Sequence, residues 1–301
     1  MKKRTLLGAL AMGVAASVAL VGCASGTGDN GGSGSGDAQS KEITVGVFNG
    51  WPEGEAVSYL WQAVLEKQGY KVDLEYADAG PVFAGLAKGD YDVTFDAWLP
   101  TTHASYFDKY GDDLVKVGDW NDDAKLTLTV NADAPIDSID QLAANADKFG
   151  NRIIGIEPGA GLTEAMEKKV IPEYGLDKMD FITSSTPAML AELKKAIDAD
   201  QDIVVTLWRP HWAYDAYDLK DLKDPKGALG AAESINTVTR TGFADDQPEA
   251  NKWFTAFKMD SDLLFSLENV MFREDHKQSE YPGIVKKWMA DNQDFVDSLT
   301  Q

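Results

Sequence analysis

Trp51, Trp98 and Trp208 are the residues of this sequence whose placement says most about chemistry. They stand in Gly50-Trp51-Pro52-Glu53, Ala97-Trp98-Leu99-Pro100 and Leu207-Trp208-Arg209-Pro210-His211. Each motif falls where a strand-like run gives way to a turn, and strand ends in α/β proteins line ligand crevices. Large rings are normally buried in cores. Three indoles gathered at one crevice would instead offer π faces to a cation. The chain has eight tryptophans, and the bland reading of any one is a core ring. Trp61 and Trp288 fall at helical spacing and read as core or helix-face residues. Trp120, Trp212 and Trp253 carry no binding signal, and Trp212 is expected to pack beneath the Trp208 loop.

A second constellation lies at Ile153-Ile154-Gly155-Ile156-Glu157-Pro158-Gly159-Ala160-Gly161-Leu162-Thr163. A strand runs into a turn of small residues, and the turn into a helix. Free backbone N–H groups and the helix dipole at such a point favour an anion. No Gly-Lys-Ser/Thr follows, so this is not a P-loop, and the dinucleotide glycine pattern is incomplete. On pattern alone an anion site and an ordinary tight βα turn remain equally open. The three histidines are His103, His211 and His276. None has metal-ligand spacing with another. A lone histidine is more often structural, but His103 and His211 each follow a motif tryptophan by a few residues, which raises the case for binding modestly. His276 sits in a charged run that reads as solvent surface. No Gly-x-Ser-x-Gly elbow is present, and abundant carboxylates do not by themselves mark a glycosidase pair.

These residues need elements to position them. Ile43 to Phe48, Val72 to Tyr76 and Tyr91 to Phe95 read as strands. Glu55 to Lys67 and Phe83 to Ala87 read as the helices between them, with Val57, Leu60, Trp61, Val64 and Leu65 at helical spacing. The pattern then repeats: Ile136 to Phe149 reads as mostly helical, Arg152 to Ile156 as a strand, Leu162 to Tyr174 as a helix and Met179 to Thr183 as a strand. Pro187 to Ala199 is a helix with Thr186 as its expected N-cap, and Asp202 to Leu207 a strand leading into Trp208. Gln247 to Thr300 is largely helical. Two β-α-β-α-β units followed by a helical tail predict an α/β protein of two lobes. The expected crossings are the extended runs Leu126 to Asn131 and Asn236 to Arg240. Lobe 1 is then residues 41–131 plus 240–301, lobe 2 is 132–239, and the tail packs back on lobe 1.

The N-terminus reads as an address. Lys2, Lys3 and Arg4 precede an apolar stretch, Leu6 to Leu20, that is short for a membrane span and laid out like a signal peptide. It ends in Leu20-Val21-Gly22-Cys23, which is similar to a bacterial lipobox. Residues 1–22 are therefore read as a lipoprotein signal peptide and Cys23 as the lipidated residue. Cys23 is the only cysteine of the 301 residues, so lipidation leaves none for disulfides. Gly, Ser, Asp and Asn fill the stretch after it, making 23–40 a tether. The formal charge of −21 argues against a nucleic-acid partner and suits a cation or zwitterion better than an anion.

Together these motifs resemble those of substrate-binding proteins of glycine betaine/proline betaine ABC transporters. The residues that carry the resemblance are Gly155 to Gly161, Trp98-Leu99-Pro100-Thr101-Thr102-His103 and Trp208-Arg209-Pro210-His211-Trp212. It runs from about Lys41 to the C-terminus, and the order and spacing of the motifs make it specific. The resemblance implies a two-lobed, type II-like periplasmic-binding-protein fold that closes around its ligand. It implies that Trp51, Trp98 and Trp208 form a box around a trimethylammonium group. It implies that the ligand carboxylate meets the backbone N–H groups of Gly161 and Leu162 and the side chain of His103. The expected protein is a monomeric, lipid-anchored receptor on the extracytoplasmic face of a bacterial membrane, delivering a quaternary ammonium ligand to an ABC permease. No catalytic residue, cofactor or metal is expected. One departure stands out: Trp51-Pro52-Glu53-Gly54-Glu55 replaces a shorter Trp-Asp-Ser-Glu-like run of relatives. It bears on the identity of the ligand more than on its class.

Three other readings compete, one of them a surface adhesion or scaffold lipoprotein that binds no small molecule. A receptor of the same fold for choline or carnitine would share the box, and choline would have no use for the carboxylate pole. An enzyme on the same fold would need a general base or nucleophile in the cleft, and the sequence offers no convincing candidate.

Overall fold

The computed structural model describes residues 40–274 and 276–301. The expected signal peptide over residues 1–22 and the expected lipidation site Cys23 lie outside the described residues. Strands β1 (Glu42–Phe48), β2 (Lys71–Ala77) and β3 (Val93–Leu99) alternate with helices α1 (Pro52–Lys67) and α2 (Ala79–Lys88). β1 pairs in parallel with β2 on one side and with β3 on the other. Short α3 (Ala104–Tyr110) follows β3. The second unit repeats the plan. Strands β5 (Arg152–Ile154), β6 (Asp180–Ile182) and β7 (Val204–Arg209) enclose α4 (Gly161–Ala165), α5 (Ile171–Tyr174) and α6 (Thr186–Asp198). β5 again lies in parallel between β6 and β7.

Long strands join the two units. β4 (Leu114–Asn131) is a single run of 18 residues. From Leu114 to Ala124 it pairs antiparallel with β9 (Glu233–Arg240), which also pairs with β3. From Lys125 to Val130 its partner becomes β7, while Thr129 to Asn131 also pair with β8 (Leu219–Asp221) on the other side. The result is one nine-stranded path, β2-β1-β3-β9-β4-β7-β5-β6, with β8 beside β4. The sequence reading found only the second half of β4, because Asp119, Asn121, Asp122 and Asp123 interrupt its β-branched run. Bulges at those residues accommodate the interruption.

The remaining helices are α7 (Ala213–Ala216), α8 (Phe243–Asp246), α9 (Pro248–Ala256), α10 (Ser261–Phe272), α11 (Tyr281–Asp291) and α12 (Gln293–Ser298). α10 and α11 pack against α1. An aromatic cluster lies under the first sheet: Trp61 meets Phe254 and Phe257 edge-on at 4.8 and 5.3 Å, and Trp120 stacks on Phe257 at 5.6 Å. Trp61, Trp120, Trp253 and Trp288 are all buried in this core.

Local physics corrects three expectations. Residues 136–149 form 3₁₀ turns at Ile139–Gln141 and Ala143–Phe149 rather than a regular helix. Asn145 leaves helical geometry there, as side chains that compete with the backbone tend to do. The helix expected over Leu162 to Tyr174 widens into a π turn at Met166–Val170, where Pro172 supplies no N–H to the preceding turn. The N-cap of α6 is Ser185, which accepts from the Ala188 N–H at 3.3 Å, rather than Thr186. Thr186 bonds Glu157 instead.

Candidate functional site

The C-terminal ends of β1, β3, β5 and β7 converge, and each delivers site residues. Trp51 follows β1 as the N-cap residue of α1. Trp98 and Trp208 lie within the last residues of β3 and β7, one step earlier than the turns the sequence suggested. Both strands continue into a cis proline, at Leu99-Pro100 and Arg209-Pro210. A small cavity is lined by Trp51, Trp98, Trp208, His103, Leu162 and Glu53, with Thr102, Leu126, Ile156 and Ala160 completing the wall.

The structure thus brings together five of the six sequence-predicted binding residues as cavity walls. The sixth, Gly161, lies directly against Thr102. A Cβ at that position would stand 2.3 Å from the Thr102 carbonyl oxygen and 2.5 Å from its Cγ2. Only glycine permits this approach. Gly161 and Leu162 open α4, so their N–H groups have no intrahelical acceptor. Thr102 is held in turn by Glu233, whose Oε1 accepts the backbone N–H groups of Thr101 at 2.5 Å and Thr102 at 2.9 Å. The Thr102 hydroxyl donates to the other oxygen of Glu233.

The indoles are fixed at both faces and edges. Trp51 stands 6.1 Å from Trp208, at 58°. Its plane stacks on His103 at 5.7 Å and 2°. Phe48 and Phe83 meet His103 edge-on at 5.7 and 5.3 Å. His211 meets Trp208 edge-on at 4.8 Å and carries Trp212 at 5.6 Å behind it. His211 therefore supports the box rather than lining it. Its Nδ1 accepts the Ala213 N–H at 3.0 Å.

His103 is fully buried, and its Nδ1 accepts the Trp98 N–H at 2.9 Å. That bond places the ring proton on Nε2. Nε2 has no protein partner, although buried donors are normally satisfied. Burial pushes the His103 imidazole down to about 3, so the ring is neutral at physiological pH and offers a single N–H.

Three buried carboxylates escaped the sequence reading. Glu157 Oε2 accepts Trp51 Nε1 at 3.2 Å, Asp96 Oδ1 accepts Trp98 Nε1 at 2.9 Å, and Glu53 Oε2 accepts Trp208 Nε1 at 2.9 Å. Glu157 also accepts the Thr186 N–H at 2.6 Å and its hydroxyl at 3.0 Å. Burial pushes Glu53 up to about 7, against hydrogen bonds from its own backbone N–H, Trp208 and Trp98. Burial, with repulsion from Glu53, also raises Asp96 and Glu268 well above the usual carboxylate range. Nothing in local sequence separates these acids from the many others on so acidic a chain. Their only signal is nearness to a motif: Glu53 and Asp96 lie beside motif tryptophans, and Glu157 lies within the glycine turn. Among the described residues no group of side chains forms a metal site and no helix is long and apolar enough to cross a membrane.

Comparison with known proteins places this geometry. Residues 41–291 match the family of the substrate binding domain of ABC-type glycine betaine transport systems. Over 174 residues the chain is 36% identical to the glycine betaine/carnitine transport binding protein GbuC of Listeria monocytogenes, covering 56% of this chain and 54% of that protein. The chain thus matches about half the length of that relative. The crystal structure of lactococcal OpuAC, closed around glycine betaine, superposes with a TM-score of 0.80 at 31% identity, over 86% of this chain and 99% of that one. The glycine betaine/L-proline-binding protein ProX of Borrelia burgdorferi superposes with a TM-score of 0.80 at 30% identity, over 86% and 97%. The two-lobed α/β architecture expected from the sequence is the one these proteins share. The chain belongs to the family of substrate-binding domains of ABC-type glycine betaine transport systems.

Proposed function

We propose that this chain is the extracytoplasmic receptor of an ABC importer and binds glycine betaine, or a closely similar zwitterionic quaternary ammonium, in the cavity described above. The observation that carries the reading is the convergence of three indoles and one neutral imidazole N–H on a single small cavity. A trimethylammonium group has no proton to donate, and a carboxylate opposing it would cost much desolvation. Aromatic faces attract it at about 2 kcal/mol each when dry. The opposite pole of the ligand meets His103 Nε2–H and the first-turn N–H groups of Gly161 and Leu162, worth about 1.5–3 kcal/mol for each charge-assisted bond. After association and closure costs of several kcal/mol, a micromolar affinity, about −8 kcal/mol, is within reach.

We infer the lobes from strand pairing. β1 to β3 with the C-terminal helices form one, and the stretch from β5 to β8 the other. The crossings, expected at Leu126 to Asn131 and Asn236 to Arg240, are read instead at β4 where it changes partners between Ala124 and Lys125 and at the chain entering β9, because Asn236 to Arg240 already pair with β3 and the first part of β4. Trp51, Trp98 and His103 then belong to the first lobe and Trp208, Gly161 and Leu162 to the second, so ligand favours closure. Anchoring through a lipid on Cys23, a monomeric state and the absence of catalysis complete the reading. The test is calorimetry with glycine betaine, proline betaine, carnitine, choline, proline and ectoine. Binding of the betaines without turnover is the expected result. Turnover of a bound compound would make the chain an enzyme, and no binding across the panel would remove the receptor reading.

A further inference from the structure

Every tryptophan that lines the cavity gives its indole N–H to a buried carboxylate. Trp51 donates to Glu157, Trp98 to Asp96 and Trp208 to Glu53. Three core tryptophans behave otherwise. Trp120 donates to the Phe95 carbonyl at 2.7 Å and Trp288 to the Ser266 hydroxyl at 2.8 Å, and Trp61 Nε1 is buried without a partner. A carbonyl or an amide would orient a ring as well as a carboxylate does. A buried carboxylate costs more desolvation, so ring orientation alone does not account for three of them. Two are also left partly unsatisfied. Glu53 Oε1 and Asp96 Oδ2 have no partner, although each residue is 1% exposed. Asp96 presses on the backbone beside Glu53: a Cβ on Gly54 would lie 2.4 Å from its Oδ2. Glu268 on α10 adds two more buried oxygens without partners.

Negative charge at the N–H edge of an indole shifts electron density toward the ring and makes its faces more attractive to a cation. In a dry site this effect is little screened. We propose that Glu53, Asp96 and Glu157 are positioning residues that hold the three box indoles by their N–H edges, and that ionised Glu53 lends the cage negative charge, tuning it to a quaternary ammonium over an uncharged tert-butyl group of the same shape. This rests on the reading of the box as a quaternary ammonium site. Glu53 dominates, because it lines the cavity with a free oxygen. Glu157 is saturated by Thr186 and Trp51 and acts more through orientation.

The test uses two ligands that differ in one atom: glycine betaine and 3,3-dimethylbutanoate, in which carbon replaces the quaternary nitrogen. Affinities of the two are measured for the wild type and for Glu53→Gln, Asp96→Asn and Glu157→Gln. In Glu53→Gln, betaine is expected to weaken by about tenfold, the order of one lost charge beside a dry aromatic cage. The carbon isostere is expected to bind unchanged or tighter, so the preference for betaine falls. Equal weakening of both ligands, or no change in either, overturns the proposal and leaves a structural role. If the wild type binds betaine and Trp208→Ala loses it while Glu53→Gln keeps the wild-type preference, this inference falls and the receptor reading stands. If the wild type binds no quaternary ammonium, both fall. Should Glu53→Gln not fold, the same ratio is read on the wild type between about pH 6 and about pH 8.5. The groups packed around the cage are Glu53, Asp96, Glu157, Glu268, His103 and His211. The two imidazoles, pushed down to about 3 by burial, stay neutral across this range, while Glu53, pushed up to about 7, ionises; any ionisation of Asp96 or Glu268, also raised by burial, adds negative charge in the same direction. The preference for betaine is expected to rise with pH, and a flat ratio overturns the proposal.

Discussion

Trp208→Ala tests the box most directly, because Trp208 contributes a face, an edge bond and a cross-chain contact. Its indole stands 6.1 Å from Trp51, meets His211 at 4.8 Å and donates to Glu53 Oε2 at 2.9 Å. Truncation removes one desolvated π face, worth about 2 kcal/mol to a bound cation, which is about 30-fold in affinity. It also strips Glu53 of a donor beside the cavity. Trp208 is 3% exposed, so loss of the ring costs about 3–5 kcal/mol of stability as a core truncation, a large share of the roughly 5–15 kcal/mol a domain has. Trp208→Phe separates the two effects: it keeps an aromatic face and loses the N–H donor. Calorimetric titration with glycine betaine, beside thermal unfolding of the free protein, is the assay. The expected order of affinity is wild type, then Trp208→Phe weaker by about threefold to tenfold, then Trp208→Ala weaker by about 30-fold. Wild-type affinity in both folded Trp208→Ala and folded Trp98→Ala would refute the box.

Further outcomes follow from the same geometry. His103→Ala removes the Nε2–H and should weaken glycine betaine by about tenfold or more, the worth of one charge-assisted bond, while leaving choline, which lacks a carboxylate, nearly unchanged in the same titration. Gly161→Ala drives a methyl into the Thr102 carbonyl. It should cost about 1–3 kcal/mol in thermal unfolding and weaken betaine by displacing the turn. Glu233→Gln removes the charge that clamps Thr101 and Thr102 and should lower stability by about 1–3 kcal/mol in urea unfolding. Glu53 links stability to pH. Its folded value is raised from 4.5 to about 7, so the folded chain holds an extra proton between those values. Its contribution is full below that window and is lost as pH rises through it. Glu53→Gln removes that loss, and its melting temperature relative to wild type should climb from about pH 5 to about pH 8. A constant difference would show that Glu53 does not titrate in this range.

Much of the scaffold was legible because its signals are local. Helical spacing in 55–67 and compact apolar runs ending at Phe48 and Phe95 report burial directly. The doubled β-α-β-α-β order appears in the structure as two parallel units with the same strand order. β4 was legible only in part, since its acidic first half pairs through bulges that propensity does not foresee. The Thr186 cap was misplaced for a related reason: Thr186 is drawn to Glu157, 29 residues away in sequence, and Ser185 takes the capping role.

By itself the sequence marked three tryptophans and a glycine turn as candidate ligand contacts, and the family resemblance added the proposed carboxylate contacts of Gly161, Leu162 and His103. Indoles at strand ends, a glycine turn before a helix and His103 beside Trp98 are short-range patterns, set by backbone geometry within a few residues. Tertiary structure alone decided how those groups are held. Glu53 meets Trp208 across 155 positions and Glu157 meets Trp51 across 106. No local pattern encodes a bond of that span. It arises because the two parallel units aim their strand ends at one cavity, where low dielectric makes each buried charge matter.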